Sequence, residues 1–259
     1  MSGELQVDGI HVERAGSGPP VLLLHGIGGA ADSFAPQIPV FAARHAVLAW
    51  DAPGYARSAD PDGPPGMSGY AALAAALLAG LGPAHVVGVS WGGVIATRLA
   101  LEFPGSVRSL VLADSTRGSG RTAATRAGML ARPAALERDG ATTFAAQRAP
   151  KLLSPSAPAD LVRRVTDTMA ASIRLPGYGY AAASMAETAH DRALASVAVP
   201  TLVVCGRQDT VTGVPESAVI AAAVPGALFH VIENAGHLAN AEQPATFNGL
   251  VEDFWKVLP

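Results

Sequence analysis

The chain has a single cysteine, Cys205, among its 259 residues, so no disulfide can form within it. It also lacks an H-E-x-x-H motif and any cluster of histidine and cysteine with the spacing of a zinc site. We therefore expect no metal ion and no other cofactor. Cys205 is interpreted as a small apolar residue within a buried strand.

Long apolar runs are missing as well. Arg, Asp, Gly and Pro interrupt every stretch that approaches the roughly 20 apolar residues needed to cross a bilayer. The segment Met1–Gly18 contains Glu4, Asp8, Glu13 and Arg14 and does not have the pattern of a secretory signal. We therefore predict a cytoplasmic protein that does not enter a membrane.

The chain as a whole has no large excess of charge of either sign, with a formal net charge of −3 and 15% charged residues. This balance gives no reason to expect nucleic acid or an anionic membrane as a partner. The hydrophobic fraction of 49% is typical of an enzyme with a large core. We expect a small-molecule substrate, and the sequence gives no prediction of the oligomeric state.

Short apolar runs alternate along the chain with longer stretches of helical composition. The runs predict six buried strands: Val21–Leu24, Ala46–Trp50, His85–Val89, Ser109–Ala113, Thr201–Cys205 and Leu228–Ile232. The stretches between and after them predict helices: Ser33–Arg44, Ser68–Leu81, Gly92–Glu102, Pro215–Ala223 and Pro244–Val257. This alternation is typical of the α/β class, with a mostly parallel sheet covered by helices on both faces. Before it, Leu5–Val7 and His11–Glu13 flank an Asp8-Gly9 turn and predict a β-hairpin.

The alternation is interrupted once, between the fourth and fifth predicted strands. About ninety residues separate them, far more than one crossover helix needs. Four segments of this stretch have helical composition and are separated by Pro and Gly: Arg121–Leu130, Pro133–Arg148, Pro158–Ile173 and Tyr180–Ala189. We predict a helical cap at residues 117–190, which lies over the carboxyl edge of the sheet and is inserted into a core domain of residues 1–116 and 191–259.

The strongest motif is Gly88-Val89-Ser90-Trp91-Gly92, a G-x-S-x-G that directly follows a predicted strand and directly precedes a helix. A serine on such a sharp turn is exposed at the end of the sheet, and the glycines permit the strained turn and a close approach of helix and strand. The alternative is a Gly-rich turn in which Ser90 only caps the helix. We predict that Ser90 is a catalytic nucleophile.

Two further candidates follow later strands. With Ser90 they give the chain order serine, acid, histidine, which hydrolases with a G-x-S-x-G nucleophile require. Asp209 follows the fifth predicted strand and His237 the sixth, both at the edge where open α/β sheets build their sites. We predict that His237 takes the proton of Ser90 and that Asp209 orients and stabilises the imidazole. Asp114, which follows the fourth strand, is a rival for the role of the acid.

The segment His25-Gly26-Ile27-Gly28-Gly29 follows the first predicted strand. We predict that the backbone N–H groups of Ile27 and Trp91 form an oxyanion hole for a tetrahedral intermediate. His25 is expected to order this loop by hydrogen bonding and not to act as the base. The loop lacks the full G-x-G-x-x-G fingerprint, so no nicotinamide cofactor is expected.

These motifs together resemble the α/β-hydrolase superfamily along nearly the whole chain, with the cap outside the resemblance. The segments that carry it are Leu23–Gly26, Asp51–Ser58, Gly88–Gly93, Gly206–Asp209 and Gly236-His237. Within the superfamily, Gly236–Pro244 is similar to the tail motif of 3-oxoadipate enol-lactonases and related carboxylesterases. The resemblance implies an α/β-hydrolase fold, a Ser-His-Asp triad and hydrolysis of a small ester or lactone, with an enol-lactone favoured.

The resemblance also bears on single residues. The G-R-x-D context of cap-bearing members favours Asp209 as the acid and leaves Asp114 as an anchor at the start of the cap. Ala56 stands where Gly is usual and is expected to stiffen its loop. Trp91 stands where such lactonases commonly carry a smaller or unbranched residue, so its bulk is expected to reshape the acyl pocket. Asp51 is interpreted as a structural loop anchor.

Two other functions remain open. A carbon–carbon bond hydrolase of ring-cleavage dienoates uses the same triad beneath a helical cap, and a ligand receptor or a lyase can be built on the same fold. The cap itself contains ten basic and five acidic side chains. This excess would attract carboxylate substrates, or it only solvates helix faces, and the sequence does not rank the arginines concerned: Arg121, Arg126, Arg132, Arg163, Arg164 and Arg174. Arg57, in a loop of the core domain, could contact an anionic substrate, but a solvated loop residue is the favoured interpretation.

Overall fold

The computed structural model describes residues 3–7 and 9–258, and the side chains from residue 9 onward. In this part of the chain, eight strands form one sheet: β1 Gly3–Val7, β2 Ile10–Ala15, β3 Pro20–Leu24, β4 Ala46–Trp50, β5 Ala84–Val89, β6 Val107–Ala113, β7 Thr201–Gly206 and β8 Leu228–Ile232. Their order across the sheet is β1-β2-β4-β3-β5-β6-β7-β8. Each of the six predicted buried strands corresponds to one of β3 to β8.

The sheet is mostly parallel, as predicted. β3 to β8 pair with one another in parallel, whereas β1 pairs with β2 and β2 with β4 in antiparallel fashion. The predicted hairpin is therefore confirmed as the β1–β2 pair, although Asp8 of its turn lies outside the described residues.

The helices are α1 Ile38–Phe41, α2 Gly66–Leu77, α3 Trp91–Glu102, α4 Ala123–Leu130, α5 Arg132–Arg148, α6 Ala159–Ser172, α7 Gly177–Glu187, α8 Gly213–Ala223, α9 Ala239–Glu242 and α10 Pro244–Lys256. None of the described helices is long and apolar enough to cross a membrane. Four of them, α4 to α7, lie between β6 and β7, where the sequence predicts the helical insertion.

Successive strand residues divide between two apolar clusters because side chains along a strand alternate between the faces of the sheet. In β3, Leu22 and Leu24 belong to one cluster, which also contains residues of α2 and α3. Val21 and Leu23 belong to the other, which contains residues of α1 and α10. The sheet therefore has a packed core on each face, as a parallel α/β sheet requires.

The predicted helix Ser33–Arg44 is wrong. The chain forms a short 3-10 turn at Ala31–Phe34 and then the four-residue α1. Pro36 and Pro39 explain the difference, because proline has no N–H to donate and its ring collides with the preceding helical turn.

The strand order reverses direction at β3. The chain passes from β3 to β4 on one side and then returns to place β5 on the other side of β3. Such a reversal opens a crevice at the carboxyl ends of the two central strands. The loop that begins at His25 follows β3 and Ser90 follows β5, so both lie at this crevice.

Candidate active site

Ser90 lies between the end of β5 and the start of α3, with φ 53° and ψ −114°. A side chain at Gly92 would place its Cβ 2.0 Å from the Leu24 carbonyl oxygen, and one at Gly88 would place it 2.4 Å from the Gly92 oxygen. Helix α3 therefore approaches the sheet too closely for any residue but glycine at these positions. The strained turn that the sequence predicts is present.

The structure brings Ser90, His237 and Asp209 together in one hydrogen-bonded line. The Nε2 atom of His237 lies 2.9 Å from Ser90 Oγ, and its Nδ1 lies 3.0 Å from Asp209 Oδ2. Because a carboxylate only accepts, Nδ1 carries the proton and Nε2 is the acceptor for the Ser90 hydroxyl. This arrangement can move a proton from Ser90 to His237.

Asp209 is held as a carboxylate by several donors. Its Oδ1 accepts from the N–H of Val211 at 2.7 Å, and its Oδ2 accepts from the Thr212 hydroxyl at 2.6 Å as well as from His237. Burial disfavours the charged form, but the hydrogen bonds from His237, Thr212 and Val211 outweigh it and hold the pKa of Asp209 well below its usual value. Asp209 is therefore ionised at neutral pH.

Asp114, the rival acid, faces other partners. Its two carboxylate oxygens accept from the N–H of Gly206 at 2.8 Å and of Ala239 at 3.0 Å. Among the described contacts it makes no hydrogen bond to His237. Burial raises the pKa of Asp114 to about 7, and the charge of Asp209 adds to this effect. Gly206 begins the loop of Asp209, and Ala239 follows His237, so Asp114 ties these two loops together instead of anchoring the start of the insertion.

The backbone N–H groups of Ile27 and Trp91 belong to the two segments that adjoin Ser90. Trp91 is the first residue of α3, where a backbone N–H has no acceptor within the helix. Ile27 follows Gly26, at which a Cβ would lie 3.2 Å from the Cβ of Ser90, so this loop directly contacts the serine. In the described part of the chain neither N–H donates to a protein acceptor. Both remain available to an oxyanion.

His25 orders this loop, as expected. Its Nδ1 donates to the Gly26 carbonyl at 2.8 Å, and its Nε2 accepts from the N–H of Ala52 at 3.0 Å. Burial lowers the pKa of His25, so the neutral imidazole is favoured. With both ring nitrogens engaged, His25 has no free site for the reaction.

The Trp91 side chain does not lie where the sequence suggested. Its ring packs in the core at 4.8 Å from Tyr70 and 5.6 Å from Tyr55 between centroids, and its Nε1 donates to Ser184 Oγ at 3.1 Å. It is fully buried and is not among the residues that line the cavity beside Ser90. The expectation that its bulk reshapes the acyl pocket is wrong, because the first residue of α3 projects beneath the helix, toward α2 and α7.

A cavity of about 1070 Å³ opens above Ser90 and His237. The loop after β3 forms one side of it, and residues of the insertion form another, among them Met129, Leu161 and Met185. This volume is sufficient for a small organic ligand.

The structure separates the six arginines that the sequence could not rank. Arg126 and Arg163 are exposed and lie outside the cavity. Arg174 also lies outside it and pairs with Asp60. Three line the cavity, and two of these pair with carboxylates: Arg121 with Asp191 and Glu216, and Arg164 with Asp160. Arg132 alone of the three has no carboxylate partner among the described residues.

The loop at Asp51 is structural, in agreement with its interpretation as an anchor. Asp51 is fully buried and accepts from the Ala31 N–H at 2.7 Å and from Arg57 Nε at 2.6 Å. Arg57 also pairs with Asp32 at 2.9 Å, and its side chain is 41% exposed and does not line the cavity, in agreement with its interpretation as a solvated loop residue. Ala56 has a φ of 40°, in the left-handed region that explains why Gly is usual there.

Two residues near the site had no predicted role. Thr212 donates to Asp209, and a threonine three residues after an aspartate in a loop is the available sequence signal. Glu242 accepts from the N–H groups of Gly236 at 2.6 Å and Ser154 at 2.9 Å, and so ties the loop of His237 to the insertion. Glu242 lies within the tail motif, but its role in joining the two segments is recognisable only from its contact with Ser154 in the folded protein.

One cluster of potential metal ligands occurs among the described residues, formed by Asp114, Cys205 and Asp209. Burial, followed by the charge of Asp114, raises the pKa of the Cys205 thiol to about 12, which disfavours the thiolate that metals prefer. Hydrogen bonds within the protein engage both carboxylates. Nothing about the cluster indicates a metal site.

Comparisons with known proteins agree with this architecture. A family model described as the alpha/beta hydrolase fold matches residues 19–244. A protein from Azorhizobium caulinodans with the provisional name carbamate hydrolase RutD is 30% identical over 253 residues, which cover 95% of this chain and 94% of the relative. 3-Oxoadipate enol-lactonase 2 from Acinetobacter baylyi is 27% identical over 243 residues, which cover 92% and 89%. Among solved structures, a hydrolase from Pseudomonas aeruginosa PA01 has 28% identity and a TM-score of 0.88, with 98% of each chain covered.

Proposed function

The chain belongs to the family of the alpha/beta hydrolase fold and is an enzyme of the hydrolase type, and from this premise we propose that it cleaves a small carboxylic ester or lactone through an acyl-enzyme on Ser90. The observation that carries the proposal is the hydrogen-bonded line from Ser90 through His237 to Asp209. The relative named 3-oxoadipate enol-lactonase favours a lactone, and an enol-lactone in particular.

In the proposed mechanism the Ser90 oxygen attacks the carbonyl carbon of the substrate while its proton passes to Nε2 of His237. The N–H groups of Ile27 and Trp91 donate to the oxyanion that forms. As the tetrahedral intermediate collapses, the carbon–oxygen bond to the leaving group breaks and His237 returns the proton to that oxygen. Water then attacks the acyl carbon while its proton passes to His237, the bond between that carbon and the Ser90 oxygen breaks, and His237 returns the proton to Ser90 as the acid is released.

Asp209 serves this cycle without changing its own protonation state. Its low pKa keeps it charged, and its hydrogen bond to Nδ1 fixes the tautomer in which Nε2 is free to accept. The same charge stabilises the imidazolium that exists between the two proton transfers.

We further propose that residues 117–190 form a cap over a core of residues 1–116 and 191–259. Side chains of all four helices α4 to α7 line the cavity above Ser90, which supports this division. The His237 N–H donates to the Leu152 carbonyl at 2.8 Å, so the cap also supports the loop of the proposed base.

Turnover of p-nitrophenyl acetate and butyrate tests the nucleophile. Ser90→Ala is expected to lower kcat roughly a thousandfold or more, because the acyl-enzyme cannot form. If the wild type hydrolyses these esters and Ser90→Ala does so equally fast, the mechanism is refuted. A wild type that leaves both esters intact but consumes a vinylogous dienoate would favour the carbon–carbon bond hydrolase instead.

A matched pair of variants tests the acid. Asp209→Asn is expected to lower kcat roughly 10³- to 10⁴-fold, since the imidazole loses its charged partner and its tautomer. Asn, like Asp, tolerates the positive φ at position 114, so Asp114→Asn should not strain the backbone. This variant is expected to lower mainly the stability, by about 1–3 kcal/mol of unfolding free energy, because one of its hydrogen bonds is lost. The reverse ranking of the two kcat values would transfer the role of the acid to Asp114.

A further inference from the structure

Two arginines of the insertion line the proposed reaction cavity from opposite ends of one helix. Arg132 is the first residue of α5 and Arg148 is the last. Both side chains are half-buried, and both line the cavity that contains Ser90 and His237. They also line a shallower hollow of about 250 Å³, so they stand between the two spaces.

A single glycine explains how the two ends of α5 meet. The ends of an unbroken helix of this length would lie about 24 Å apart. Gly140, in the middle of α5, has φ 74° and ψ 160°, which interrupts the helix in a region that essentially only glycine occupies. The chain bends there, and Arg132 and Arg148 come near enough for the charge of one to act on the other.

Neither guanidinium is neutralised within the protein. Among the described residues no carboxylate lies within salt-bridge distance of Arg132 or Arg148. Arg148 lies over the ring of Phe144, 5.6 Å from its centroid, and Arg132 lies beside the Tyr178 hydroxyl. Burial is the main cause that lowers the pKa of Arg132, and the charge of Arg148 adds to it.

The other charged residues around the cavity are nearly all paired. Asp32 pairs with Arg57, and Glu216 with Arg117 and Arg121. Arg164 pairs with Asp160, one helical turn away. Asp167, on α6, is the remaining carboxylate of the lining and has an exposed side chain. Arg132 and Arg148 are therefore the half-buried charged residues of the cavity lining that lack a partner of opposite charge in the described part of the chain, and both are positive.

We propose that Arg132 and Arg148 form a subsite that binds a carboxylate group carried by the substrate, at a distance from the bond that Ser90 attacks. The inference rests on the proposed ester or lactone hydrolysis and narrows its substrate class to acids. A guanidinium offers parallel N–H donors whose spacing matches the two oxygens of a carboxylate. An anion placed between the two arginines relieves their mutual repulsion and receives charge-assisted hydrogen bonds from both.

The kinetic test compares mono-p-nitrophenyl esters of succinate, glutarate and adipate with the methyl esters of the same compounds. The two sets differ only at the far end of the acyl chain, where a charged carboxylate is replaced by a neutral methyl ester. In Arg132→Gln/Arg148→Gln the ratio of kcat/KM for the best acid to kcat/KM for its methyl ester is expected to fall roughly 10- to 100-fold, chiefly through KM. The leaving group and the attack by Ser90 are the same in both sets, so a general loss of activity does not change the ratio.

The control is Arg126→Gln/Arg163→Gln, which also removes two positive charges, but from exposed positions of the same insertion. It is expected to change the ratio by less than about threefold, because exposed charges act weakly through solvent. If the ratio falls equally in both double variants, the arginines act only by long-range attraction of the anionic substrate and the subsite is refuted. An unchanged ratio in Arg132→Gln/Arg148→Gln would refute it as well. Arg148→Gln alone provides the same comparison without disturbing the contact between Arg132 and Tyr178.

A binding measurement keeps the subsite and the proposed reaction separate. Titration calorimetry of Ser90→Ala is expected to detect glutarate or adipate and not the corresponding diamide, and the signal should vanish when Arg132→Gln/Arg148→Gln is added. Equal binding of diacid and diamide would refute the subsite even if ester hydrolysis depends on Ser90. Selective binding of the diacid, in an enzyme whose wild type hydrolyses none of these esters, would support the subsite and count against the proposed reaction.

Discussion

At the scale of single residues, burial and hydrogen bonding decide which groups near the site carry charge. Asp209 and Asp114 each receive two or more hydrogen bonds, yet their pKa values move in opposite directions. Asp209 accepts from the N–H of His237 and from the Thr212 hydroxyl, whereas fully buried Asp114 accepts from two backbone N–H groups and also faces the charge of Asp209. The two carboxylates are therefore suited to different roles, the first to electrostatics and the second to holding loops.

His190, at the end of the insertion, makes the stability of the protein sensitive to acid. It is buried, and both ring nitrogens lack hydrogen-bond partners. Burial, and then the charge of Arg98, lowers the pKa of His190 to about 4. Protonation is therefore favoured in the unfolded chain, so the contribution of His190 is complete above pH 6.5 and is lost as the pH falls toward 4.

We expect His190→Phe to remove this dependence. Between about pH 8 and about pH 5 the wild type should lose on the order of 2 kcal/mol more unfolding free energy than the variant, because phenylalanine does not titrate. Urea unfolding at the two pH values measures the difference, and titrating groups common to both proteins cancel. Parallel losses in wild type and variant would show that His190 does not titrate as its burial implies.

How far the sequence specifies the site differs from residue to residue. Gly88 and Gly92 predict the sharp turn at Ser90 because their spacing is local, and the structure has that turn. Thr212 lies three residues after Asp209, which is a weak local signal, but whether its hydroxyl donates to the Asp209 carboxylate depends on how the loop folds. The direction of the Trp91 side chain also depends on the contact between α3 and α7, which no local pattern encodes.

At the scale of elements, the bend in α5 connects backbone geometry with the proposed carboxylate subsite. Gly140 has open space around it, so a Cβ there would meet no atom within 4 Å. A substitution therefore acts through backbone strain alone. Gly140→Ala is expected to lower the unfolding free energy by about 1–3 kcal/mol, or to straighten α5 and separate Arg132 from Arg148.

Gly249 provides the matched control, since it lies inside α10 and also has open space around it. Gly249→Ala is expected to raise the unfolding free energy by about 0.5–1 kcal/mol, because alanine favours the helix. Denaturation of both variants, together with the ratio of acid to methyl-ester turnover, measures the two effects. If Gly140→Ala matches Gly249→Ala in stability and leaves the ratio at its wild-type value, the bend is not what brings the arginines together.

The boundaries of elements were predictable where local patterns are strong. The four helices of the insertion lie close to their predicted positions because Pro and Gly separate them in the sequence. The short helix α9 had no signal, since it consists of four residues within the tail motif. Ser33–Arg44 has helical composition, but Pro36 and Pro39 outweigh it.

At the scale of the whole molecule, the alternation of strands and helices was enough to predict the fold class, and it also indicated the edge of the sheet at which the proposed site lies. The positions of Ser90, Asp209 and His237 after three different strands follow from that topology. Which basic residues of the insertion face the cavity without a carboxylate partner could not be predicted, because nothing in the sequence distinguishes the ten of them. Only their partners in the fold distinguish Arg121 and Arg164 from Arg132.

The proposed function requires Ser90 to be an activated nucleophile, and reaction with a small fluorophosphonate tests this most directly. The reagent phosphonylates a serine whose hydroxyl is deprotonated by an adjacent base, and its adduct does not turn over. The prediction is loss of ester hydrolysis in step with the addition of one phosphonyl group per chain, located on Ser90 by peptide mass spectrometry, with no addition to Ser90→Ala. Inactivation with the group on another residue, or full activity after Ser90 has been labelled, would show that Ser90 is not the nucleophile.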